Sequence, residues 1–170
     1  MVRVEQVLGS WRAVRDDTIA AVEEFPVSDF DFQPAPGVDS FRGIARHILN
    51  AGDGFIGMLL EGIEDFTTPD FPERYQRHTR KLPADAGPAE LAAALRQSIE
   101  QCTAALAAQT PDFFSQVVTR FPGEKMTRLE LIQSIKEHEL THRAQLFMIL
   151  RLKGIVPPTT RRRLARQAGR

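Results

Sequence analysis

The stretch H-E-L-T-H, residues 138–142, lies inside a long segment with helical periodicity and matches the H-E-x-x-H pattern of zinc peptidases. On a helix, two histidines four residues apart are separated by about 6 Å along the axis and share one side, which suits chelation of a single metal ion. A helical wheel places His138 and His142 on one apolar stripe with Leu131, Ile135, Leu146 and Ile149. We therefore expect both histidines to face the interior of a helical bundle. Glu139 falls at the edge of the stripe, where it could support a ligand, act on metal-bound water or face solvent.

The segment that carries this motif has clear start and stop signals. Thr127 and Glu130, in T-R-L-E, form the capping-box pattern that opens a helix. Gly154 is suited to the left-handed residue that often follows a last helical turn, and the prolines at 157 and 158 prevent continuation. The sequence therefore predicts a helix that begins after Thr127 and ends near Lys153.

Three earlier segments show the same period, at about residues 4–25, 40–59 and 88–106. Asp39 or Ser40 is the expected N-cap of the second, and Pro88 suits the first position of the third. Long connections, residues 64–87 and 109–126, follow the second and third segments, and no run shows the alternation of a β-strand. The prediction is an all-α protein, a four-helix bundle with long crossover connections, in a single domain of residues 1–157. Residues 158–170 are expected to be a basic C-terminal tail, solvated and frayed.

Composition and charge narrow the function classes. Lysine plus arginine equals aspartate plus glutamate, at 22 each, so no net positive field favours nucleic acid or an anionic membrane. No apolar run approaches the ~20 residues of a membrane span, and the N-terminus lacks a signal-peptide pattern. The single cysteine, Cys102, lies among apolar residues at helical spacing and is expected to be a buried, inert thiol. These features favour a reducing cytoplasm.

A second motif, G-D-G-F-I-G at residues 52–57, matches the dinucleotide-binding fingerprint G-x-G-x-x-G. That fingerprint binds a pyrophosphate only where a strand precedes it and a helix begins after it. Here the preceding residues continue one helical segment, so we reject nucleotide binding. The glycines are expected to allow close approach of a neighbouring helix.

The peptidase interpretation of H-E-L-T-H lacks a third metal ligand. After His142 the chain contains no histidine, aspartate or glutamate, and the sequence predicts no sheet that would hold a peptide. Upstream, His78 lies in a cationic loop and is expected to be an exposed structural residue. His47 lies beside apolar positions of the second helix, where a lone histidine is more often a hydrogen-bonded core residue. Three inward histidines on two helices change this balance, because a divalent cation removes the cost of burying them unpaired.

At this point the sequence resembles the DinB-like family of four-helix-bundle metalloproteins. The matching fragments are R-H-I-L-N-A around His47 and E-H-E-L-T-H-R-A-Q-L around His138 and His142, where Arg143 and Gln145 match the H-R-x-Q that often follows the pair. F-Q-P-A-P-G resembles the family's lead into the second helix, and L-R-L-K-G-I-V-P-P its exit from the fourth. The likeness covers nearly the whole chain in order. It implies that His47, His138 and His142 bind a divalent ion, nickel, zinc or iron, with open coordination positions.

Two functions from different classes follow from this resemblance. The first is a metal-dependent thiol S-transferase that joins a low-molecular-weight thiol to a small electrophile, with Glu139 and Gln145 as supporting residues. The second is a metal-stabilised stress-response or binding bundle without catalysis. A DNA-binding role rests on the family's name alone, and the zero net charge speaks against it.

The fourth helix also carries a second apolar set, away from the histidines: Leu129, Ile132, Leu140, Phe147 and Leu150. A bundle helix facing water would not carry this stripe, so it needs cover from the long connections or from a second subunit. The resemblance implies a dimer, because members of this family are frequently dimeric. A two-fold contact through one face is also self-complementary, so we expect a homodimer.

Overall fold

The computed structural model describes residues 3–169, and its four longest helices form a bundle. These are α1 (Val4–Glu24), α2 (Phe41–Glu61), α4 (Pro88–Ala107) and α6 (Arg128–Leu152). Both α1 and α2 pack mainly against α4 and α6, so α1 and α2 lie at opposite corners of the bundle. The chain therefore crosses the bundle diagonally between α1 and α2, and again between α4 and α6. The four-helix bundle with long crossover connections is confirmed.

The predicted helix ends are also confirmed. The Ser40 side chain accepts a hydrogen bond from the N–H of Gly43 and caps α2. Thr127 and Glu130 form the reciprocal capping box that opens α6. After α6 the chain turns at Gly154, whose φ of 74° is readily adopted only by glycine.

Two apolar clusters form the core, one toward each end of the bundle. One contains Phe25, Phe30, Phe41, Leu95 and Leu146, and the other contains Trp11, Ile56, Leu59, Leu106 and Ile132. Each bundle helix carries at least one buried polar residue between its residues of one cluster and its residues of the other. These residues are Arg15, Thr18, Asp53, Ser98 and Glu139. Buried polar groups of this kind persist only when they are hydrogen-bonded. The middle of the bundle is consequently the level at which polar chemistry is concentrated.

The connection between α2 and α4 contains a further helix, α3 (Phe71–His78), that packs on α2. A Cβ added to Gly54 would lie 2.4 Å from Cε2 of Tyr75, and one added to Gly57 would lie 2.4 Å from Cγ of His78. These two glycines of G-D-G-F-I-G therefore provide the room in which α3 packs. Both lie inside α2, so the continuous helical segment predicted for this motif is confirmed.

The prediction that the chain lacks strands was wrong. Between α4 and α6 lie a short helix, α5 (Pro111–Ser115), and an antiparallel hairpin of β1 (Val117–Phe121) and β2 (Glu124–Thr127). The hairpin turns at Pro122 and Gly123. Its strand β1 also bonds to the connection after α2, because Thr119 accepts from the N–H of Phe66 and donates to the carbonyl of Glu64. Pairing with a distant segment stabilises strands that would be too short to persist as an isolated hairpin.

Beyond Pro157 the chain forms a helix, α7 (Pro158–Ala168), rather than the frayed tail expected. Its side chains are mostly exposed, as a basic segment requires. Ion pairs hold it to α1, from Arg161 to Glu24 and from Arg162 to Asp17. Across residues 3–169, no helix combines the length and apolar content that a membrane span needs.

The second apolar set on α6 is largely covered within one chain. Ile132 and Leu150 are fully buried and Phe147 nearly so, because all three belong to the two core clusters. Leu129 and Leu140 are half-buried. Homodimerisation through this face therefore stays a prediction, and it rests on those two leucines alone.

Candidate metal centre

Three imidazole rings converge in a groove between α2 and α6. His47 projects from α2, and His138 and His142 project from successive turns of α6. The Nε2 atoms of His47 and His138 are 3.0 Å apart, and those of His142 and His138 are 3.1 Å apart. All three rings offer a nitrogen within 4.8 Å of the others. The structure thus brings together the three histidines that the sequence analysis selected.

The spacing of these nitrogens fits a single transition-metal ion. Zinc–imidazole bonds of about 2.0–2.1 Å in a tetrahedral site separate ligand nitrogens by about 3.3 Å. Two of the three observed separations, 3.0 and 3.1 Å, are close to that value, and the remaining pair of rings offers nitrogens within 4.8 Å of each other. Three neutral nitrogen ligands leave at least one coordination position open. The donor set therefore suits nickel, zinc or iron, which imidazole ligands accept alike.

Gln145 orients one of the rings. Its Oε1 lies 2.7 Å from Nδ1 of His142, so the ring donates Nδ1–H to the amide and keeps the lone pair of Nε2 for the centre of the cluster. A hydrogen bond of this kind fixes the tautomer of a metal-binding histidine. Gln145 therefore lies next to the cluster in contact with His142, and its supporting role stays a prediction.

The surroundings of His47 and His138 favour neutral rings. Burial, followed by the nearby rings of His142 and His47, lowers the pKa of His138 to about 4. Burial and then the charge of His142 also lower the pKa of His47. A neutral imidazole presents a lone pair, whereas an imidazolium does not. At neutral pH the cluster is thus ready to accept a cation without first losing protons from these two rings.

The expected orientation of α6 was wrong in one respect. His47 is exposed, and His138 and His142 are half-buried, so the cluster lines an open groove rather than the bundle interior. Glu139 occupies the interior instead and is only 2 % exposed. Because consecutive helical residues differ by about 100° in direction, a glutamate that faces the core leaves the flanking histidines at its edge.

The Glu139 carboxylate is fully occupied by α1. It accepts from Nε1 of Trp11 at 2.7 Å, from Nε and Nη2 of Arg15 at 2.7 and 2.9 Å, and from Oγ1 of Thr18 at 3.0 Å. Arg15 is itself fully buried and gives a further hydrogen bond to the carbonyl of Leu95. A carboxylate with four donors, in a bidentate pair with arginine, is a structural group. Glu139 is therefore not the general base that H-E-x-x-H implies in a peptidase.

Other residues singled out in the sequence lie apart from the cluster. His78 is partly exposed at the end of α3, where Nε2 lies 2.8 Å from Oε2 of Glu61. Arg143 donates to Asp17 at 3.0 Å and stacks on Phe147, so it fastens α6 to α1. Cys102 is buried, and burial raises the pKa of its thiol to about 12, which confirms the inert thiol.

The sequence analysis missed the groups that lie beside His138. Arg120 from β1 and Phe55 from α2 share a small cavity with His138, and Ser134 closes its other side. The signal that points to Arg120 is the run V-V-T-R-F-P-G, whose β-branched residues and Pro-Gly turn indicate a hairpin. The run does not indicate where the hairpin packs, because that depends on its bonds to residues 64–66.

With this geometry established, comparison with known proteins identifies the family. The sequence model of the DinB superfamily matches residues 10–146, which include all three histidines. A comparison with curated protein sequences finds no match.

Solved structures share the fold at low sequence identity. A DinB-like protein from Bacillus subtilis, YjoA, has a TM-score of 0.69 at 21% identity, covering 88% of this chain and 92% of its own. YfiT from Bacillus subtilis, described as a probable metal-dependent hydrolase with an unusual four-helix bundle topology, has a TM-score of 0.70 at 18% identity, with 91% of each chain covered. A mycothiol-dependent maleylpyruvate isomerase has a TM-score of 0.62 at 14% identity, covering 85% of this chain and 61% of its own. The chain belongs to the DinB superfamily.

Proposed function

We propose that His47, His138 and His142 bind one divalent metal ion and that the protein is a metal-dependent thiol S-transferase acting on small electrophiles. The observation that carries this proposal is the convergence of three imidazole nitrogens, with Nε2 separations of 3.0 and 3.1 Å, in a groove open to solvent. A closed structural site would use four protein ligands, whereas three leave a position for a reactant.

The bound ion would lower the pKa of a low-molecular-weight thiol and so provide a thiolate nucleophile at neutral pH. The residues of the chain prepare the place for this chemistry. Gln145 holds His142 in the tautomer that keeps Nε2 available. The cavity that Phe55 and Ile135 line beside His138 is largely apolar. Because Cys102 is buried and protonated, the thiol must come from outside the chain.

Thiol transfer is favoured over hydrolysis by the position of Glu139. In the H-E-x-x-H peptidases this glutamate is the general base for water. Here its carboxylate points into the core and is held by Arg15 and Trp11. Two structures with the same fold support metal-dependent or thiol-dependent chemistry, since one is described as a probable metal-dependent hydrolase and another as mycothiol-dependent. With a thiol substrate, a reducing cytoplasm is the expected compartment.

Metal analysis tests the site. We expect untagged protein to carry about one divalent ion per chain, and alanine at His47, His138 or His142 to reduce this content sharply. His78→Ala is the matched control, because His78 belongs to the same residue type but lies on α3 beside Glu61. Full metal occupancy in His47→Ala would refute the three-ligand site.

An activity screen tests the reaction. Metal-loaded protein is mixed with mycothiol or another small thiol and a panel of small electrophiles, and consumption of the free thiol is followed. We expect consumption that disappears in the His138→Ala variant and persists in His78→Ala. Stoichiometric metal without thiol consumption across the panel would instead support the second function, a metal-stabilised stress-response or binding bundle.

A further inference from the structure

A second cavity extends from the small one beside His138. It has a volume of about 270 Å³, and its walls come from α2, α3, β1 and the connection after α2: Phe55, Phe66, Thr67, Phe71, Arg120, Phe121 and Pro122. Phe55 and Arg120 line both this cavity and the small one that reaches His138. The aromatic cavity and the small cavity beside His138 therefore adjoin and share these two walls. Ligand pockets of about 300–1,000 Å³ hold drug-sized molecules, so a cavity of about 270 Å³ suits a smaller one.

Arg120 lines both cavities and carries one donor that is buried without a partner. Its Nη1 donates to Oγ of Ser134 at 2.6 Å, and its Cζ lies 4.8 Å from the centroid of the Phe121 ring. Within residues 3–169, its Nε is buried and finds no hydrogen-bond partner. An unpaired buried donor costs about 1–3 kcal/mol, more on a charged group, so such groups call for an explanation.

The backbone holds this arginine in place. Arg120 belongs to β1, which pairs with β2 on one side. On the other side, the neighbouring Thr119 bonds to Glu64 and Phe66 in the connection after α2. The guanidinium is thus fixed by two strand pairings, by Ser134 and by stacking on Phe121. A preorganised arginine loses less conformational entropy when it binds an anion.

We propose that the cavity lined by Phe55, Phe66, Phe71 and Phe121 binds the electrophilic substrate, that this substrate is a carboxylate with a planar apolar body, and that Arg120 pairs with its carboxylate next to His138. This inference rests on the proposed function, because it names the substrate class of the same site. Arg120 is a substrate-binding residue in this scheme.

The chemistry of the walls selects this ligand class. A guanidinium is the side chain whose planar set of donors best matches the two oxygens of a carboxylate. Four phenylalanine rings favour an apolar body, and flat rings pack best against a flat one. Arg120 is the one residue with a formal charge among the described residues that line the two cavities. One positive charge is matched by a monocarboxylate rather than by a phosphate dianion.

The position beside His138 adds a reason. Arg120 and His138 line the same small cavity, so the two side chains lie close together. A carboxylate on Arg120 would hold the rest of the molecule within reach of the histidine cluster. Holding both reactants in one site is a main source of enzymatic rate enhancement.

Calorimetric titration with 3-phenylpropanoate tests the inference, with the uncharged 3-phenylpropanamide as the matched ligand. Each ligand is titrated into metal-loaded and chelator-stripped protein, and metal content is measured on the same samples. The variants are Arg120→Gln and, as a control, Arg77→Gln on the exposed side of α3, whose contact with Glu61 is a long 3.5 Å. We expect the carboxylate to bind at least about tenfold more tightly than the amide in both forms, and Arg120→Gln to abolish this preference. Arg77→Gln should preserve it.

The outcomes separate this inference from the proposed function. Retained preference for the carboxylate in Arg120→Gln, or equal binding of acid and amide by the wild type, overturns it even when the metal content is normal. Carboxylate binding that requires the metal and is unchanged in Arg120→Gln overturns the inference as well, because the carboxylate then binds the metal ion rather than Arg120. A preference that depends on Arg120 in protein that binds no metal supports the inference and refutes the three-histidine site. Circular dichroism identifies any unfolded variant, and Arg120→Lys, which restores the charge, should then recover part of the preference.

Discussion

Replacing Glu139 by glutamine separates a structural glutamate from a catalytic one. The substitution keeps the size of the side chain but removes its charge, so the fully buried Arg15 loses its counter-ion. Removing one partner of a buried ion pair costs about 3–5 kcal/mol, because the remaining charge is left uncompensated. Glutamine also presents a single acceptor oxygen in place of the two that Arg15, Trp11 and Thr18 share.

The expected effect is large relative to a typical folding free energy of about 5–15 kcal/mol. Urea denaturation followed by circular dichroism measures it. With an m value of about 2 kcal/mol per molar urea, the midpoint should fall by roughly 1.5–2.5 M. The folded fraction should still bind metal, since the Glu139 carboxylate points away from the histidine groove.

The double variant Arg15→Met with Glu139→Leu serves as the control. Replacing both members of a buried pair by apolar residues is often neutral, so the double variant should be more stable than Glu139→Gln alone. The opposite pattern would refute the assignment: Glu139→Gln with an unchanged midpoint and lost metal would place the carboxylate in the metal site.

Three further predictions concern pH, packing and assembly. Because the pKa of His138 is lowered to about 4 in the folded protein, the unfolded chain binds more protons between about pH 4 and 6.5. The metal-free protein should therefore lose stability as the pH falls through this window, and His138→Ala should flatten the denaturation profile. Gly54→Ala should destabilise the protein because the added Cβ would lie 2.4 Å from the Tyr75 ring, whereas Gly9→Ala on α1 meets nothing within 4 Å and should stabilise it by about 0.5–1 kcal/mol in thermal melts. Light scattering should give a dimeric mass that Leu140→Glu reduces to a monomer; a wild-type monomer would remove the case for association through α6.

The helices and their ends were predictable because their signals are local. Amphipathic periodicity and capping residues within a few positions set the bounds of α2 and α6. The pairing of His138 with His142 followed from their spacing within one helix, whereas the addition of His47 from α2 rested on the resemblance to a family. The signals that lie within one helix do not depend on contacts with distant parts of the chain.

The direction in which α6 faces was not predictable in the same way. A helical wheel places Glu139 at the edge of the apolar stripe, and because a lone carboxylate in a core is costly, the sequence alone does not indicate its burial. Arg15 removes that cost, but it lies 124 positions earlier in the chain. Likewise, β1 depends on bonds between Thr119 and residues 64–66, and Arg120 acquires its place from them. Contacts between residues far apart in the chain produce no periodic pattern in the sequence, so they could not be predicted from it.

The two sides of one helical turn in α6 answer to separate requirements. Glu139 is selected by a guanidinium on α1, and His138 and His142 are selected by a partner ring on α2. The glutamate and the two histidines therefore match H-E-x-x-H although each serves a different contact. A match to this pattern on a helix consequently predicts hydrolysis only where the glutamate carboxylate is free to act on water, and the partners of that carboxylate decide this.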